Sequence, residues 1–508
     1  MSASGAWLPA RARATPERIA LEVGGASLSW RDLDARARAL AGQLAACGVA
    51  PGDTVAALLP NGLPFVLLLH ALQRIAATLL PLNARLGESE LLQPLRDGRA
   101  DLLVHAQDEA GARARSAAER AGVRAISQPE LARLAPKPVE GGPRASPAAL
   151  ALLFTSGTSG APKGAELPAA SFAASAAAAA LHQPALPGDR WLCCLPLYHV
   201  GGLSLPIRSL LQGTTCVLHE RFEPERVSRE LDAGRIAGVS LVATILERIL
   251  ELRGERPPPA SLRCALLGGS GAALPLLERA RACGWPIAPT YGLTEACSQV
   301  ATRRLDDRDS PLDAGLAPLA GTELQIRGED AGVLPAGEPG EILVRGPTLM
   351  RGYRGRPEES AAALRGGWLH TGDIGALDER GRLRVLDRRS DLILSGGENI
   401  YPAEIESVLL AHPALREAGV AGVPDARFGQ RPCAFVVLRP EAEALDRSAL
   451  VRELGAHCRS RLAGFKQPVA YHFADALPRN ASGKLLRREL SALAGRARGA
   501  SASLAPKP

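Results

Sequence analysis

The stretch "TSGTSGAPKG", Thr155 to Gly164, follows an apolar run from Ala148 to Phe154 and breaks it with four hydroxyl residues, three glycines and one lysine. Hydroxyls and open backbone amides with a cation at the far end suit an anion rich in oxygens. Successive backbone N–H groups form concave nests for phosphate, and glycine lets the backbone come close. The common nucleoside-triphosphate pattern G-x-x-x-x-G-K-[ST] does not fit, because Pro162 rather than a glycine precedes Lys163. A phosphate loop of another kind is predicted.

Five further stretches carry side chains able to do chemistry. In "YGLTEACSQ", Tyr291 to Gln299, Thr294 offers a hydroxyl to a phosphate oxygen and Glu295 a hard carboxylate to Mg²⁺. Taken alone, a Thr-Glu pair reads as a helix cap. "LPLYHVGG" sets His199 after a buried strand, where a lone histidine is more often a satisfied core residue. "WLHTGDIG" places Asp373 in a glycine-flanked turn; a carboxylate there suits the two hydroxyls of a ribose, and an Asx turn is the plain alternative. "LSGGENIYP" reads by itself as a turn and a helix start. "LPRNASGKLL" carries Lys484 after a flexible lead, which equally describes a solvated loop.

The elements that must position these groups follow from patterning. "DTVAALLP", "AALALLFTSG", "DRWLCCLPLYH", "GTTCVLHE", "GVSLVAT" and "LRCALLGGSG" are predicted strands, and "LPFVLLLHALQRIAAT" is a predicted helix. Strand-then-helix alternation with runs apolar on both faces predicts parallel sheets covered by helices. Several runs end in glycine, hydroxyl or histidine clusters, and in open α/β sheets ligands sit at the carboxyl ends of the strands. After about Ala301 the pattern changes to short alternating strands, "TELQIR", "GEILVRG" and "GRLRVLD", set among Gly and Pro: a small β-barrel subdomain. "DRRSD", Asp387 to Asp391, packs five polar residues between apolar runs and reads as an exposed linker. Beyond it, "NIYPAEIESVLLAHP" and "SALVRELGAHCRSRLAGF" are amphipathic helices around a strand, "PCAFVVL". The expected division is a large N-terminal domain over 1–386, a hinge over 387–391, a small α+β domain over 392–492 and a disordered, low-complexity tail over 493–508.

With 508 residues the chain is long enough for several cores. Its net charge of +7 and 4% aromatic content lack the basic, aromatic-interleaved stripe of a nucleic-acid binder. Nine scattered cysteines without C-x-x-C spacing indicate neither a zinc site nor a disulfide framework. The opening "MSASGAWLPARARATPER" lacks the apolar core of a secretory leader, and the Ala169–Leu181 run is too short and too weakly apolar to span a bilayer. A cytoplasmic location without membrane insertion is expected.

Each plain alternative is sound singly, but the order and identity of the stretches resemble one superfamily. "TSGTSGAPKG", "LPLYHVGG", "YGLTE", "GEILVRG", "TGD", "DRRSD", "SGGENIYPAEIE" and "NASGK" occur in the order found in adenylate-forming enzymes, the group of acyl-CoA synthetases, adenylation domains and firefly-type luciferases. The resemblance runs from about Pro16 to Leu490. It implies a large N-terminal and a small mobile C-terminal domain, with ATP, Mg²⁺, CoA and a small carboxylic acid as partners. A carboxylate would attack the α-phosphate of ATP, giving an acyl-AMP, and a thiol would then displace AMP.

Residue by residue, the resemblance implies that Thr155, Ser156, Gly157, Thr158, Ser159 and Gly160 wrap the β- and γ-phosphates with Lys163 assisting. Glu295 would hold Mg²⁺ and Thr294 an α-phosphate oxygen. Gly268, Gly269, Tyr291 and Gly292 would contact the nucleotide, and Asp373 the ribose with Arg388 nearby. Lys484 would bridge carboxylate and α-phosphate during adenylation and leave by rotation at Ser390, bringing in Gly396 and Gly397 to line a pantetheine channel. His199, Ser298 and Gln299 would border the acyl pocket, polar groups suited to a substrate with a keto group and two carboxylates. "AELPAASF" departs from the pattern, since relatives usually carry a threonine and a histidine or asparagine there. No carrier domain follows, so free CoA is the expected thiol. Rival readings are a CoA ligase for another aryl or medium-chain acid, an adenylation protein serving a carrier, and a non-catalytic nucleotide binder. Relatives in the superfamily are often dimers or tetramers.

Overall fold

The computed structural model describes residues 7–139, 149–156, 162–183, 185–269, 272, 274–307, 310–312, 314–328, 332–387, 393–400, 402–478, 487 and 489–490. The chain divides into two compact units. One comprises Met1–Ala84, Pro94–Phe154 and Gly164–Leu386, and the other Arg85–Gln93, Thr155–Lys163 and Asp387–Pro508.

In the first unit the apolar runs become two large sheets. Five strands of the nine-stranded sheet lie side by side and parallel: Ile287–Leu293, Cys264–Gly268, Ile236–Val242, Arg190–Cys193 and Thr215–Leu218. Their carboxyl ends therefore share one edge, and Leu195–His199, Gly268–Gly269 and Thr294–Glu295 all lie there. The six-stranded sheet runs in the order Arg124–Ser127, Leu102–His105, Thr54–Leu58, Thr78–Pro81, Ala151–Ser156, Pro162–Leu167. Thr54–Leu58 is buried at every position, as a strand covered on both faces must be.

Helices cover these sheets for local reasons. Trp30–Ala46 opens with a capping box in which the Ser29 hydroxyl accepts from Asp32 N–H and the Asp32 carboxylate accepts from Ser29 N–H. It buries Leu33, Ala37, Ala41 and Leu44, one face at helical spacing. The alanine-rich helix Ala169–His182 is packed, burying Phe172, Ala176 and Ala179. Two of its serines hold later loops: Ser171 Oγ donates to the Leu349 carbonyl at 2.8 Å and Ser175 Oγ to the Cys297 carbonyl at 2.9 Å. Where a small barrel was expected, Glu323–Arg327, Gly340–Arg345, Leu369–Leu377 and Leu383–Asp387 pair as a four-stranded sheet.

The second unit has its own sheet, led by the long antiparallel pair Leu415–Asp425 and Gly429–Leu438. Helices Pro402–Leu410 and Arg447–Arg459 contribute Ile405, Leu409, Leu450, Leu454 and Cys458 to a core with Val420, Ala434 and Val436. Between the predicted turn and helix start lies an unforeseen hairpin, Ile393–Ser395 with Glu398–Ile400. All nine cysteines carry free thiols. Among the described residues no helix is long and apolar enough to cross a membrane.

Candidate active site

The centre of the site is a hairpin at the carboxyl edge of the nine-stranded sheet. Strand Ile287–Leu293 turns through Thr294–Ala296 and returns antiparallel as Ser298–Thr302, with Leu293 opposite Ser298 and Gly292 opposite Gln299. The turn is a single 3₁₀ turn without a side-chain cap, so the Thr-Glu pair is not a helix cap. It is closed under strain: Cys297 and Ser298 have φ of 53° and 93°, the left-handed region that ordinary residues avoid. Gly292 cannot be replaced without movement, because a Cβ there would come within 1.8 Å of the Ser298 carbonyl oxygen.

This geometry buries Glu295, which is held at both its side chain and its backbone. The Tyr353 hydroxyl donates to Glu295 Oε1 at 2.9 Å, and Met350 N–H donates to the Glu295 carbonyl at 2.8 Å. Four residues before Glu295, the buried Tyr291 donates its hydroxyl to Asp373 Oδ2 at 2.7 Å. Two carboxylates are thus each oriented by a tyrosine. The Asp373 N–H donates to the Thr371 hydroxyl at 3.1 Å.

Gly268 ends its strand beside Thr290, and Gly269 adopts φ +84°, where a Cβ would meet Val242 at 2.9 Å. His199 is exposed rather than core, and it stands as the first residue before helix Val200–Gln212 without capping it through its side chain. Gln299 is buried, and its Oε1 accepts from Gln183 Nε2 at 2.9 Å and Thr302 Oγ1 at 3.1 Å, so that half of the amide ties the hairpin together. Ser298 is half-buried. Gly396 and Gly397 form the two-residue turn of the hairpin Ile393–Ile400 with φ of 59° and 85°; a turn with both central residues at positive φ demands glycine on backbone grounds alone.

Thr155 and Ser156 close the strand Ala151–Ser156, and Lys163 lies at the start of Pro162–Leu167. Gly157, Thr158, Ser159, Gly160, Arg388, Ser390 and Lys484 lie outside the described residues.

Four residues escaped the sequence reading. Tyr353 is the Glu295 partner. Asn61 pins the "LPLYH" loop: its Oδ1 accepts from Leu197 N–H at 2.9 Å, and its Nδ2 donates to the Leu195 carbonyl at 2.8 Å. Glu341 braces the Asp373 turn, with Gly372 N–H donating to its Oε1 at 3.0 Å. Arg208 is buried on helix Val200–Gln212, its guanidinium 4.1 Å over the Trp191 ring, with Nη2 meeting no acceptor. Burial pulls its pKa down to about 10. The titratable groups that bear on it are the Cys264, Cys193 and Cys216 thiols, which burial keeps protonated, Cys193 and Cys264 being pushed up to about 12. A lone arginine inside the apolar run "LSLPIRSLL" was the available signal.

Within "AELPAASF" two residues have structural partners. Glu166 pairs with Arg354 at 2.5 Å, Arg354 also donates to Thr54 Oγ1 at 2.6 Å, and Phe172 is core.

No group of three His, Cys, Asp or Glu comes together as a metal cage among the described residues. A single buried carboxylate fits Mg²⁺, which keeps waters and phosphate oxygens and takes one or two protein carboxylates.

Residues 8–354 match the AMP-binding enzyme family, and residues 404–484 match the AMP-binding enzyme C-terminal domain. The chain belongs to the AMP-binding enzymes. This AMP-binding enzyme is 41% identical over 488 residues to a 2-succinylbenzoate–CoA ligase of Geobacillus sp. (strain WCH70), covering 96% of this chain and 97% of the relative. A solved double mutant of o-succinylbenzoate CoA synthetase from Bacillus subtilis, bound with its product analogue OSB-NCoA, superposes with TM-score 0.89 at 40% identity. That match covers 98% of this chain and 99% of the other. The B. subtilis synthetase in complex with ATP and magnesium ion gives TM-score 0.71 at 39% identity, covering 95% and 98%.

Proposed function

We propose that this AMP-binding enzyme is an acid–CoA ligase that converts 2-succinylbenzoate to its CoA thioester, as in menaquinone biosynthesis. The observation that carries the reading is 41% identity to a ligase of that name across 96% of the chain. The substrate carboxylate attacks the α-phosphate of ATP and expels pyrophosphate; the CoA thiol then attacks the acyl carbon and AMP leaves. Two anions meet in the first step, so preorganised positive charge and hydrogen-bond donors at the reacting oxygens should dominate catalysis.

Mg²⁺ held on Glu295 would neutralise the triphosphate. Thr294 would donate to an α-phosphate oxygen, and Thr155–Gly160 with Lys163 would cradle the β- and γ-phosphates. Asp373, oriented by Tyr291, would accept from the ribose hydroxyls. Lys484 would donate to the carboxylate and α-phosphate together.

A panel of acids in a pyrophosphate-release assay tests the substrate. 2-Succinylbenzoate is expected to exceed benzoate and medium-chain fatty acids in kcat/KM. Equal or better turnover of benzoate or a fatty acid by the unmodified enzyme would remove the substrate assignment and leave the reaction class standing.

A further inference from the structure

The direction of Asp373 is set by a bulge. Strand Gly340–Arg345 pairs antiparallel with Leu369–Leu377, Leu343 opposite His370 and Glu341 opposite Ile374. Thr371, Gly372 and Asp373 therefore face the single residue Ile342. Extra residues in one strand bend it and re-aim a side chain. Gly372 takes the left-handed conformation this requires, with φ +71°.

Three hydrogen bonds hold the bulge. Thr371 Oγ1 donates to the Ile342 carbonyl at 2.7 Å, and Asp373 N–H donates to Thr371 Oγ1 at 3.1 Å. The third comes from outside the bulge: Gly372 N–H donates to Glu341 Oε1 at 3.0 Å. The other Glu341 oxygen lies 3.0 Å from Nδ1 of His370, whose side chain is only 7% exposed, and Arg365 reaches the same Nδ1 at 2.8 Å. One carboxylate thus fixes both the left-handed residue of the bulge and the histidine at its base.

We infer that Glu341 is a positioning residue for nucleotide selection: by clamping Gly372 it fixes the aim of the Asp373 carboxylate. This rests on the reading of Asp373 as the group that accepts from the ribose hydroxyls. Without the clamp the bulge is free to shift its extra residues along the strand, and Asp373 no longer meets both hydroxyls in one geometry. A Glu341 that served only as a strand-surface ion pair would affect stability and leave nucleotide preference untouched.

The test compares kcat/KM for ATP and 2′-deoxy-ATP, measured by pyrophosphate release on the full chain with 2-succinylbenzoate. The unmodified enzyme is expected to prefer ATP, and Asp373→Ala to lose that preference. Glu341→Ala is expected to reduce the preference about tenfold, the order of one charge-assisted hydrogen bond, with the change in KM for ATP rather than in kcat. Glu341→Gln keeps an acceptor for Gly372 N–H and should retain most of the preference; Arg365→Ala removes only the charge partner and should retain all of it. A folded Glu341→Ala enzyme with the unmodified preference overturns the inference. If Glu341→Ala does not fold, Glu341→Asp decides, because it keeps the charge but pulls the oxygen back by one methylene; undiminished preference there is equally fatal. Asp373→Ala retaining the preference overturns the ribose reading and the clamp with it.

Discussion

Lys484→Ala is expected to lose about 10²–10³ in the rate of acyl-AMP formation, roughly 3–4 kcal/mol, the cost of removing one preorganised donor to developing charge. Given synthetic acyl-AMP and CoA, the same variant is expected to form thioester at close to the unmodified rate. The cation is needed while carboxylate and α-phosphate, both negative, share oxygens; displacement of AMP by a thiol makes no such demand. The chain just beyond Lys484 is anchored, since Arg487 Nη2 meets Glu406 Oε2 at 2.8 Å and Leu490 is fully buried. The complementary variant must respect the backbone. Gly397→Leu would place a branched side chain at φ +85°, adding strain to any effect on a channel. Gly397→Asn tolerates the left-handed region better and is expected to keep adenylation while slowing thioester formation. Equal slowing of both half-reactions by Lys484→Ala would end the assignment of this lysine to adenylation.

Glu295→Ala is expected to depress adenylation by about 10²–10³ and to raise the Mg²⁺ concentration needed for half-maximal activity about tenfold or more. The carboxylate is buried and oriented by Tyr353. Tyr353→Phe supplies the graded comparison. It keeps the carboxylate and removes one hydrogen bond, about 1 kcal/mol, and should cost several-fold in rate with a smaller shift in Mg²⁺ dependence. A folded Glu295→Ala enzyme with unchanged rate and unchanged metal dependence would take Glu295 out of the site.

Much of this architecture was legible because strand runs buried on both faces leave a strong apolar signal. "DTVAALLP", "DRWLCCLPLYH" and "LRCALLGGSG" each contain the strand found. Boundaries failed where the stop signal was atypical. The predicted helix Leu63–Thr78 ends at Ile75, because Ala76 adopts φ 66° and caps it in the left-handed conformation that glycine normally supplies. Nothing in an alanine announces this, and the first residue of the strand Thr78–Pro81 that follows falls inside the predicted helix. The site shows the same division. Thr294, Glu295 and Asp373 lie in short glycine-marked motifs and could be read locally. Their supports could not: Tyr353 lies 58 residues from Glu295 and Tyr291 lies 82 from Asp373 in sequence. Only the fold brings such pairs within hydrogen-bond reach.

The tight closure of the Gly292–Ser298 hairpin has a consequence for how this enzyme can change. Position 292 is frozen, since even one methyl group would collide with the facing carbonyl, so lineages that keep the site must keep that codon within the glycine set. Position 298 is the opposite case: half-buried, it already carries a side chain in a conformation that glycine or asparagine would occupy with less strain. Replacement there releases energy locally instead of adding a clash. Diversity among descendants, and the useful variants in a library built to find new acids, should therefore gather at position 298 while position 292 stays silent.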